Sequence, residues 1–165
     1  MNKERDYVME HEFFMTCAIL EGVIGARAGS GGPFGAVIVW KGGMVGKGHN
    51  RVLETKNPTR HAEIEAISNA SAYLETYDLS DCILYTSCEP CPMCLGAIMW
   101  ARIPTVYYAS TRAEAAAIGF DDSEFYENLG IGDIKGVELV HLPDESADRL
   151  FAWWDSLEDK EKRMY

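Results

Sequence analysis

The sequence predicts an α/β fold, a three-layer α/β/α sandwich with a central mixed sheet of about five strands. Short runs of β-branched and aromatic residues alternate along the chain with longer segments of helical periodicity. A glycine turn joins the first two predicted strands, whereas a helix joins two later ones, as parallel strands require. The length of 165 residues and the 47% hydrophobic content fit a single domain over residues 1–165.

The N-terminal segment predicts a helix with one buried face. Between Glu10 and Ile24, apolar residues recur at a spacing that lines one side of a helix. The glycine-rich run at residues 29–32 then ends the helix. That run lacks the Gly-x-x-x-x-Gly-Lys-Ser/Thr pattern of a phosphate-binding loop, which argues against a phosphate site. The residues of the predicted face are Phe13, Cys17, Leu20 and Ile24.

A β-hairpin follows the glycine-rich run. Residues Ala36–Trp40 are mainly β-branched and predict a strand buried on both faces. The turn Lys41-Gly42-Gly43 leads into a strand at residues 44–49 that returns antiparallel to the first. Asn50 and Arg51 lie at the end of this return strand.

The rest of the chain alternates helices and strands. Thr59 follows a proline break and is placed to cap a helix over about residues 60–73, whose first turn holds His61 and Glu63. Pro90 predicts the start of a helix at residues 91–101 with few polar residues, which we expect to be buried. The other predicted elements are strands at 82–86, 105–109 and 137–140, a short helix with the capping box Thr111 and Glu114 that ends at Gly119, and a helix from Ser146 that buries Leu150, Phe151, Trp154 and Leu157.

Composition and charge exclude several classes of protein. Five cysteines are an odd number, and three of them lie within seven positions, which suits metal ligation in a reducing compartment better than disulfides. The net charge of −11 argues against nucleic acid as a partner. No apolar run approaches the roughly 18 residues of a membrane span, and the first residues lack the apolar stretch of a secretory signal. We therefore expect a cytoplasmic protein that binds neither nucleic acid nor membrane.

His61, Cys91 and Cys94 have the residue types and spacing of a zinc site with three protein ligands. Such a site leaves one position for a water molecule, which the ion activates toward hydroxide. Helix N-termini lower the pKa of thiols, so the predicted helix start favours thiolates at both cysteines. Glu63, two residues after the histidine, is a suitable proton carrier for hydrolytic chemistry.

A structural zinc site is the alternative interpretation. Such a site fills all four positions with protein ligands, and Cys88 is the obvious fourth candidate. Glu63 has no role in a site of that kind. Its position within one turn of the histidine therefore favours the catalytic interpretation.

The complete H-x-E…P-C-x-x-C pattern resembles the signature of zinc-dependent deaminases, the cytidine and deoxycytidylate deaminase superfamily. The resemblance implies that Zn²⁺ is the cofactor, that His61, Cys91 and Cys94 bind it, and that Glu63 carries a proton from water to the leaving amine. Within the superfamily the chain most resembles bacterial guanine deaminases. That likeness rests on Gly31–Val39, His61-Ala62-Glu63, Cys82–Ile98, Trp100-Ala101-Arg102 and Gly119-Phe120-Asp121-Asp122.

This second resemblance implies that the substrate is guanine, which becomes xanthine and ammonia. Guanine offers N1–H and its exocyclic amine as adjacent donors, which one carboxylate can accept together, and O6 as an acceptor. The resemblance assigns Asp122 as the acceptor of these two donors. It assigns Asn50 as the partner of O6 or of a ring nitrogen. A helix cap and a turn amide are the respective structural alternatives. The other implied substrate contacts are Phe34, Ala62, Trp100 and Phe120.

Several alternatives stay open. The run Ala115-Ala116-Ala117-Ile118 also resembles guanosine deaminases, so nucleoside and free base are not separated, and another small amino-heterocycle such as cytosine is a further candidate. The metal segment alone would suit transfer-RNA adenosine deaminases, which the negative charge disfavours. Arg60 departs from the families, which usually carry a small residue before the histidine; it either alters the pocket rim or faces solvent.

The C-terminus carries a further resemblance. Guanine deaminases of this type end in a tyrosine that reaches into the site of a partner subunit, and this chain ends in Tyr165. The resemblance therefore implies a homodimer in which a segment of about residues 144–165 is exchanged between subunits.

Overall fold

The computed structural model of the chain describes residues 3–132 and 134–158, with side chains from residue 10 onward. Five strands form one mixed sheet in the order β2-β1-β3-β4-β5. β1 pairs antiparallel with both β2 and β3, while β3, β4 and β5 run parallel. The strands are β1 (Gly35–Trp40), β2 (Gly43–His49), β3 (Cys82–Cys88), β4 (Thr105–Ser110) and β5 (Glu138–His141).

Helices cover both faces of the sheet, which confirms the predicted three-layer sandwich. α1 and α7 pack on one face, and α3 and α4 pack on the other. α4 connects the parallel strands β3 and β4, so its N-terminus and the carboxyl ends of both strands lie at the same sheet edge. The helices are α1 (Lys3–Arg27), α2 (Val52–Thr55), α3 (Ala62–Leu74), α4 (Pro92–Trp100), α5 (Arg112–Ala117), α6 (Ser123–Leu129) and α7 (Glu145–Asp155).

The buried face of α1 is not the one predicted. Phe13, Leu20 and Ile24 are more than half exposed, and Cys17 is only partly buried. The helix is apolar around most of its circumference, so spacing alone does not select the buried side. Packing against the sheet selects the side whose small residues permit close approach, Ala18 and Gly22, which lie against Gly35 of β1. The residues buried with them are Phe14, Met15 and Ile19.

Two helix starts also differ from the predictions. Thr59 does not cap α3, because its backbone and hydroxyl bond to the side chain of Asn57 instead. Pro92, rather than Pro90, occupies the first turn of α4. This helix is buried along one side only, since Met99 is 52% exposed and Trp100 is 87% exposed. The short helices α2 and α6 were not predicted.

Other local predictions are confirmed. Thr111 and Glu114 form the expected capping box of α5, in which each side chain bonds to the other residue's backbone N–H. α7 buries Leu150, Phe151 and Trp154, as its spacing predicted. Among the described residues, no helix combines the length and the apolarity that a membrane span requires.

A buried histidine lies on the α1 side of the sheet, away from the metal-binding residues. His11 Nδ1 lies 2.6 Å from the hydroxyl of Tyr85, and the ring of Tyr107 stacks on the imidazole with centroids 4.3 Å apart. Burial lowers the pKa of His11, and the charge of Glu10 opposes this shift only in part.

We expect His11 to make stability depend on pH. Because its pKa is lower in the folded chain than in the unfolded one, its contribution is complete above about pH 6.5 and declines as the pH falls below that value. Urea unfolding at pH 7.5 and pH 5.5 measures the effect. The free energy of unfolding of the wild type should fall more over this range than that of His11→Gln, and equal falls would contradict the assignment.

Candidate active site

Two helix N-termini meet at the edge of the sheet, and each carries a predicted metal ligand as its N-cap residue. His61 caps α3 and Cys91 caps α4, both with extended backbone. N-cap positions usually hold Ser, Thr, Asp or Asn, whose side chains accept a backbone N–H. Here the two side chains meet each other, with Cys91 Sγ 3.5 Å from His61 Nδ1.

Cys94 completes the group from the first turn of α4. Its Sγ lies 3.6 Å from His61 Nδ1, and the three donor atoms all lie within 4.8 Å of one another. Tetrahedral zinc with bonds of about 2.0–2.3 Å places neighbouring donors roughly 3.5 Å apart, so one imidazole and two sulfurs in this arrangement fit the ion. The described residues include no fourth His, Cys, Asp or Glu in this group.

Cys88 is not a fourth ligand. Its thiol is buried and donates to the carbonyl of Thr111 at 3.7 Å. Burial raises the pKa of the Cys88 thiol well above its usual range, which keeps it protonated. The structural zinc interpretation therefore has no fourth protein ligand among the described residues.

The electrostatics of the cluster favour a cation. A hydrogen bond from Cys94 is the main reason that the pKa of Cys91 falls to about 4, and His61 lowers it further. Burial acts to lower the pKa of His61, but its hydrogen bond with Cys91 and the Cys91 charge outweigh burial and raise it. Cys91 is therefore a thiolate at neutral pH, which is the state that metal ligation requires. The hydrogen bond with Cys91, together with burial, raises the pKa of Cys94 well above its usual range, so the expected thiolate is found at Cys91 but not at Cys94.

Glu63 faces the same cluster from the first turn of α3. Its Oε1 accepts a hydrogen bond from the Thr86 hydroxyl at 2.9 Å, and its Oε2 lies 3.3 Å from Cys94 Sγ. The residue is 6% exposed, and burial raises the pKa of its carboxyl group. A buried carboxyl with a raised pKa is suited to accept and release a proton near neutral pH. Sequence reasoning missed Thr86, because nothing in the pattern of β3 distinguishes it from other inward residues.

A cavity of about 710 Å³ opens onto the cluster. Phe34 and Phe120 form an edge-to-face pair in its wall, with ring centroids 4.8 Å apart. A cavity that combines apolar walls with few polar groups is the usual form of a small-molecule site. The predicted residues that line it are Phe34, Asn50, His61, Ala62, Glu63, Cys91, Phe120 and Asp122.

Asn50 lies in the cavity wall and is fully buried. Its side-chain oxygen accepts the backbone N–H of Val52 at 3.2 Å, so the turn role considered from the sequence is also present. A Cβ at Gly31 would lie 2.0 Å from this oxygen. The glycine-rich run therefore has a steric role here, since it lets the backbone pass directly over Asn50.

Asp122 occupies the N-cap position of α6 without a side-chain capping bond. The neighbouring carboxylate of Asp121 instead accepts the backbone N–H of Ser123 at 3.0 Å. Burial raises the pKa of Asp122, and the negative charge of Cys91 raises it further. Asp122 lines the same cavity as His61 and Cys91.

The unpredicted helix α6 forms much of the outer cavity wall. The hydroxyl of Tyr126 donates to the carbonyl of Pro90 at 2.8 Å. This bond connects α6 to the cysteine loop, the segment between β3 and α4 that carries Cys91. Arg112 lies over the Tyr126 ring at 4.1 Å. The composition of α6 gives no strong apolar periodicity, so sequence reasoning missed its contribution. The wall residues that it adds are Phe125, Asn128 and Leu129.

Trp100 does not line the cavity of the single chain, and its contact with substrate stays a prediction. It ends α4 on the side opposite the buried residues Cys94 and Ile98, and it is 87% exposed. Tyr165, which the resemblance assigns to the site of a partner subunit, lies outside the described residues.

Comparison with known proteins assigns the family. The model of the cytidine and deoxycytidylate deaminase zinc-binding region matches residues 8–110. The chain belongs to this deaminase family. The matched region is a zinc-binding one, and His61, Cys91 and Cys94 are a group of described residues that could hold the ion.

Individual relatives show which members of the family the chain is similar to. A guanine deaminase of Bacillus subtilis is 53% identical over 121 residues, which cover 73% of this chain and 78% of the relative. The crystal structure of the Bacillus subtilis guanine deaminase matches with a TM-score of 0.71 and 43% identity, over 94% of this chain and 98% of that one.

Two further relatives extend the comparison. A guanine deaminase structure from Nitrosomonas europaea matches with a TM-score of 0.75 and 30% identity, over 87% of this chain and 84% of that one. A tRNA-specific adenosine deaminase of Aquifex aeolicus is 40% identical over a shorter stretch of 102 residues, 62% of this chain and 67% of the relative.

We expect Gly31→Ala to destabilise the chain, because the added methyl group would overlap Asn50. Overpacking of this kind lowers the free energy of unfolding by about 1–3 kcal/mol. Thermal and urea unfolding measure it. Gly132→Ala is the matched control, since a Cβ at Gly132 meets nothing within 4 Å. Equal stability of the two variants would contradict the close contact at Asn50.

Proposed function

We propose that this deaminase hydrolyses guanine to xanthine and ammonia. The observation that carries the proposal is the position of Glu63, buried beside three zinc ligands at the base of a cavity that also presents Asn50 and Asp122. The similarity to two guanine deaminases, from Bacillus subtilis and Nitrosomonas europaea, supports this substrate over the alternatives.

Glu63 moves the proton that the reaction requires. Zinc bound by His61, Cys91 and Cys94 supplies Lewis-acid activation of water. Glu63 accepts the proton of the water that attacks C2 of guanine and then delivers it to the exocyclic nitrogen, which leaves as ammonia. The Thr86 hydroxyl fixes one carboxyl oxygen, which directs the other toward the zinc ligands.

Recognition of guanine uses the polar residues Asp122 and Asn50 of the cavity wall. The Asp122 carboxylate accepts from N1–H and the exocyclic amine, and the Asn50 amide nitrogen donates to O6. Adenine and cytosine present a bare ring nitrogen where guanine has N1–H, so the Asp122 carboxylate would repel them. The Phe34 and Phe120 rings supply the apolar walls that hold the purine.

The quaternary and cellular features belong to the same proposal. We propose that the chain is a single domain, that it works in the cytoplasm, and that it forms a homodimer in which the C-terminal segment, including Tyr165, reaches a partner. Met99 and Trp100 expose apolar surface at the C-terminal end of α4, which supports contact with a second subunit. Sedimentation velocity of the full chain and of a chain lacking residues 159–165 tests the dimer.

Glu63→Gln should abolish most of the activity while leaving the metal in place. Glutamine has nearly the same size but cannot carry the proton, so kcat for guanine should fall by roughly two to four powers of ten. Ammonia release and zinc content per chain are the two measurements. Glu145→Gln, at an exposed position on α7, is the control for the same substitution. Retained activity in Glu63→Gln would refute the proton-carrier role.

Asp122→Ala should weaken guanine turnover more than it disturbs the fold, because it removes the acceptor for the guanine edge. We expect kcat/KM for guanine to fall at least roughly tenfold, the effect of losing a charged hydrogen bond. Glu124→Ala, which removes an exposed acidic group from α6, should change it little. The assay panel should contain guanine, guanosine, cytosine, cytidine, adenine and adenosine, and a clear preference for any substrate other than guanine would overturn the assignment.

A further inference from the structure

Glu65 is a buried carboxylate outside the cavity that faces two arginines. Its residue is only 6% exposed. Oε1 lies 2.8 Å from Arg60 Nε in an ion pair that lacks hydrogen-bond alignment, and Oε2 accepts from an Arg51 NH group at 3.3 Å. A carboxylate is costly to bury unless it is paired, so the position of Glu65 depends on both partners.

The two arginines lie at the two ends of one loop, residues 51–60, which includes the short helix α2. Each arginine adjoins a residue of the site. Arg51 directly follows Asn50, and Arg60 directly precedes the zinc ligand His61. The backbone N–H of Arg51 donates to the carbonyl of Arg60 at 2.9 Å and closes the loop at its base. The Glu65 carboxylate and the Arg51–Arg60 backbone hydrogen bond therefore connect the residue next to Asn50, on the substrate side, with the residue next to His61, on the metal side.

Glu65 itself is held rigidly. Its backbone N–H donates to the carbonyl of His61 at 3.0 Å in the first turn of α3. A Cβ at Gly48 would lie 2.4 Å from Glu65 Cβ, so α3 rests directly on β2, the strand that leads to Asn50. The two arginines thus bind a carboxylate whose position is fixed relative to both β2 and α3.

Glu54 adds a second contact on the Arg51 side. Its carboxylate forms a two-point ion pair with Arg51, with nitrogen–oxygen distances of 2.9 and 3.0 Å. The backbone N–H of Glu54 also donates to the carbonyl of Ser30 at 3.0 Å, in the glycine-rich run that passes over Asn50. The Arg51 side of the loop is therefore linked to the substrate-binding wall, and the Arg60 side adjoins the zinc ligand.

Arg60 is not among the residues that line the cavity, and its guanidinium lies against the Glu65 carboxylate. We propose that Glu65 is a positioning residue that acts through Arg51 to place Asn50 against the substrate and through Arg60 to place His61 against the metal. The substrate half of this proposal rests on the proposed function, whereas the metal half does not.

The two halves predict different effects for two single substitutions. Arg51→Ala should raise KM for guanine roughly tenfold with kcat within about threefold of wild type, because Asn50 contributes to binding. Arg60→Ala should instead accelerate zinc loss to a chelator by about tenfold, the typical effect of residues that orient a metal ligand. Glu65→Gln should show both effects. A chromogenic zinc indicator with excess chelator measures the release rate without substrate.

A double-mutant cycle and a control distinguish positioning from general destabilisation. If Arg60 acts through Glu65, zinc loss from Arg60→Ala/Glu65→Gln should be no faster than from Glu65→Gln alone. Arg102→Ala breaks an exposed ion pair with Asp78 away from the cavity and should change neither quantity. Additive effects in the cycle, or wild-type KM and zinc release in Glu65→Gln, would overturn the proposal.

The outcomes also separate this proposal from the proposed function. If the wild-type chain fails to deaminate guanine, the zinc-release measurement still tests the Arg60 half. If Glu65→Gln does not fold, Arg51→Ala and Arg60→Ala carry the test, because both arginine side chains are about one-third exposed.

Discussion

The site depends on two helix N-termini that approach closely enough for their N-cap side chains to meet. His61 and Cys91 occupy N-cap positions, where a short polar residue would normally bond its own helix, and Cys91 Sγ lies 3.5 Å from His61 Nδ1. The partial positive charge of the helix ends, together with the hydrogen bonds of Cys94 and His61, favours a thiolate at Cys91. The backbone N–H groups of the first helical turns therefore contribute to metal binding, because they favour the thiolate.

The sheet explains why these helix ends coincide. β3 leads directly into the cysteine loop, and the parallel connection through α4 returns the chain to β4 beside it. The carboxyl end of β3 also carries Thr86, whose hydroxyl fixes the Glu63 carboxyl from the opposite side of the cluster. Helices supply the metal ligands and the proton carrier, while the strand supplies the residue that orients the carrier.

Local patterns in the sequence sufficed to predict the strands and the residues that the fold groups at the site, since each depends on residue types at short spacing. Contacts between distant segments were not predictable in the same way. The face of α1 was predicted wrongly because apolar residues surround that helix. Trp100 was assigned to the substrate, but it does not line the cavity of the single chain. Only the tertiary structure shows that Thr86 and helix α6 belong to the site.

Arg60 shows how a departure from a family pattern acquires a physical explanation. A small residue before the histidine would leave Glu65 with one arginine instead of two, and a buried carboxylate with incomplete pairing is costly. The arginine is thus matched to the glutamate five residues later, at 2.8 Å, rather than to the substrate. Because the pair joins the chain at His61 to a helix seated on β2, its effect should reach the metal through position and not through charge at the cavity.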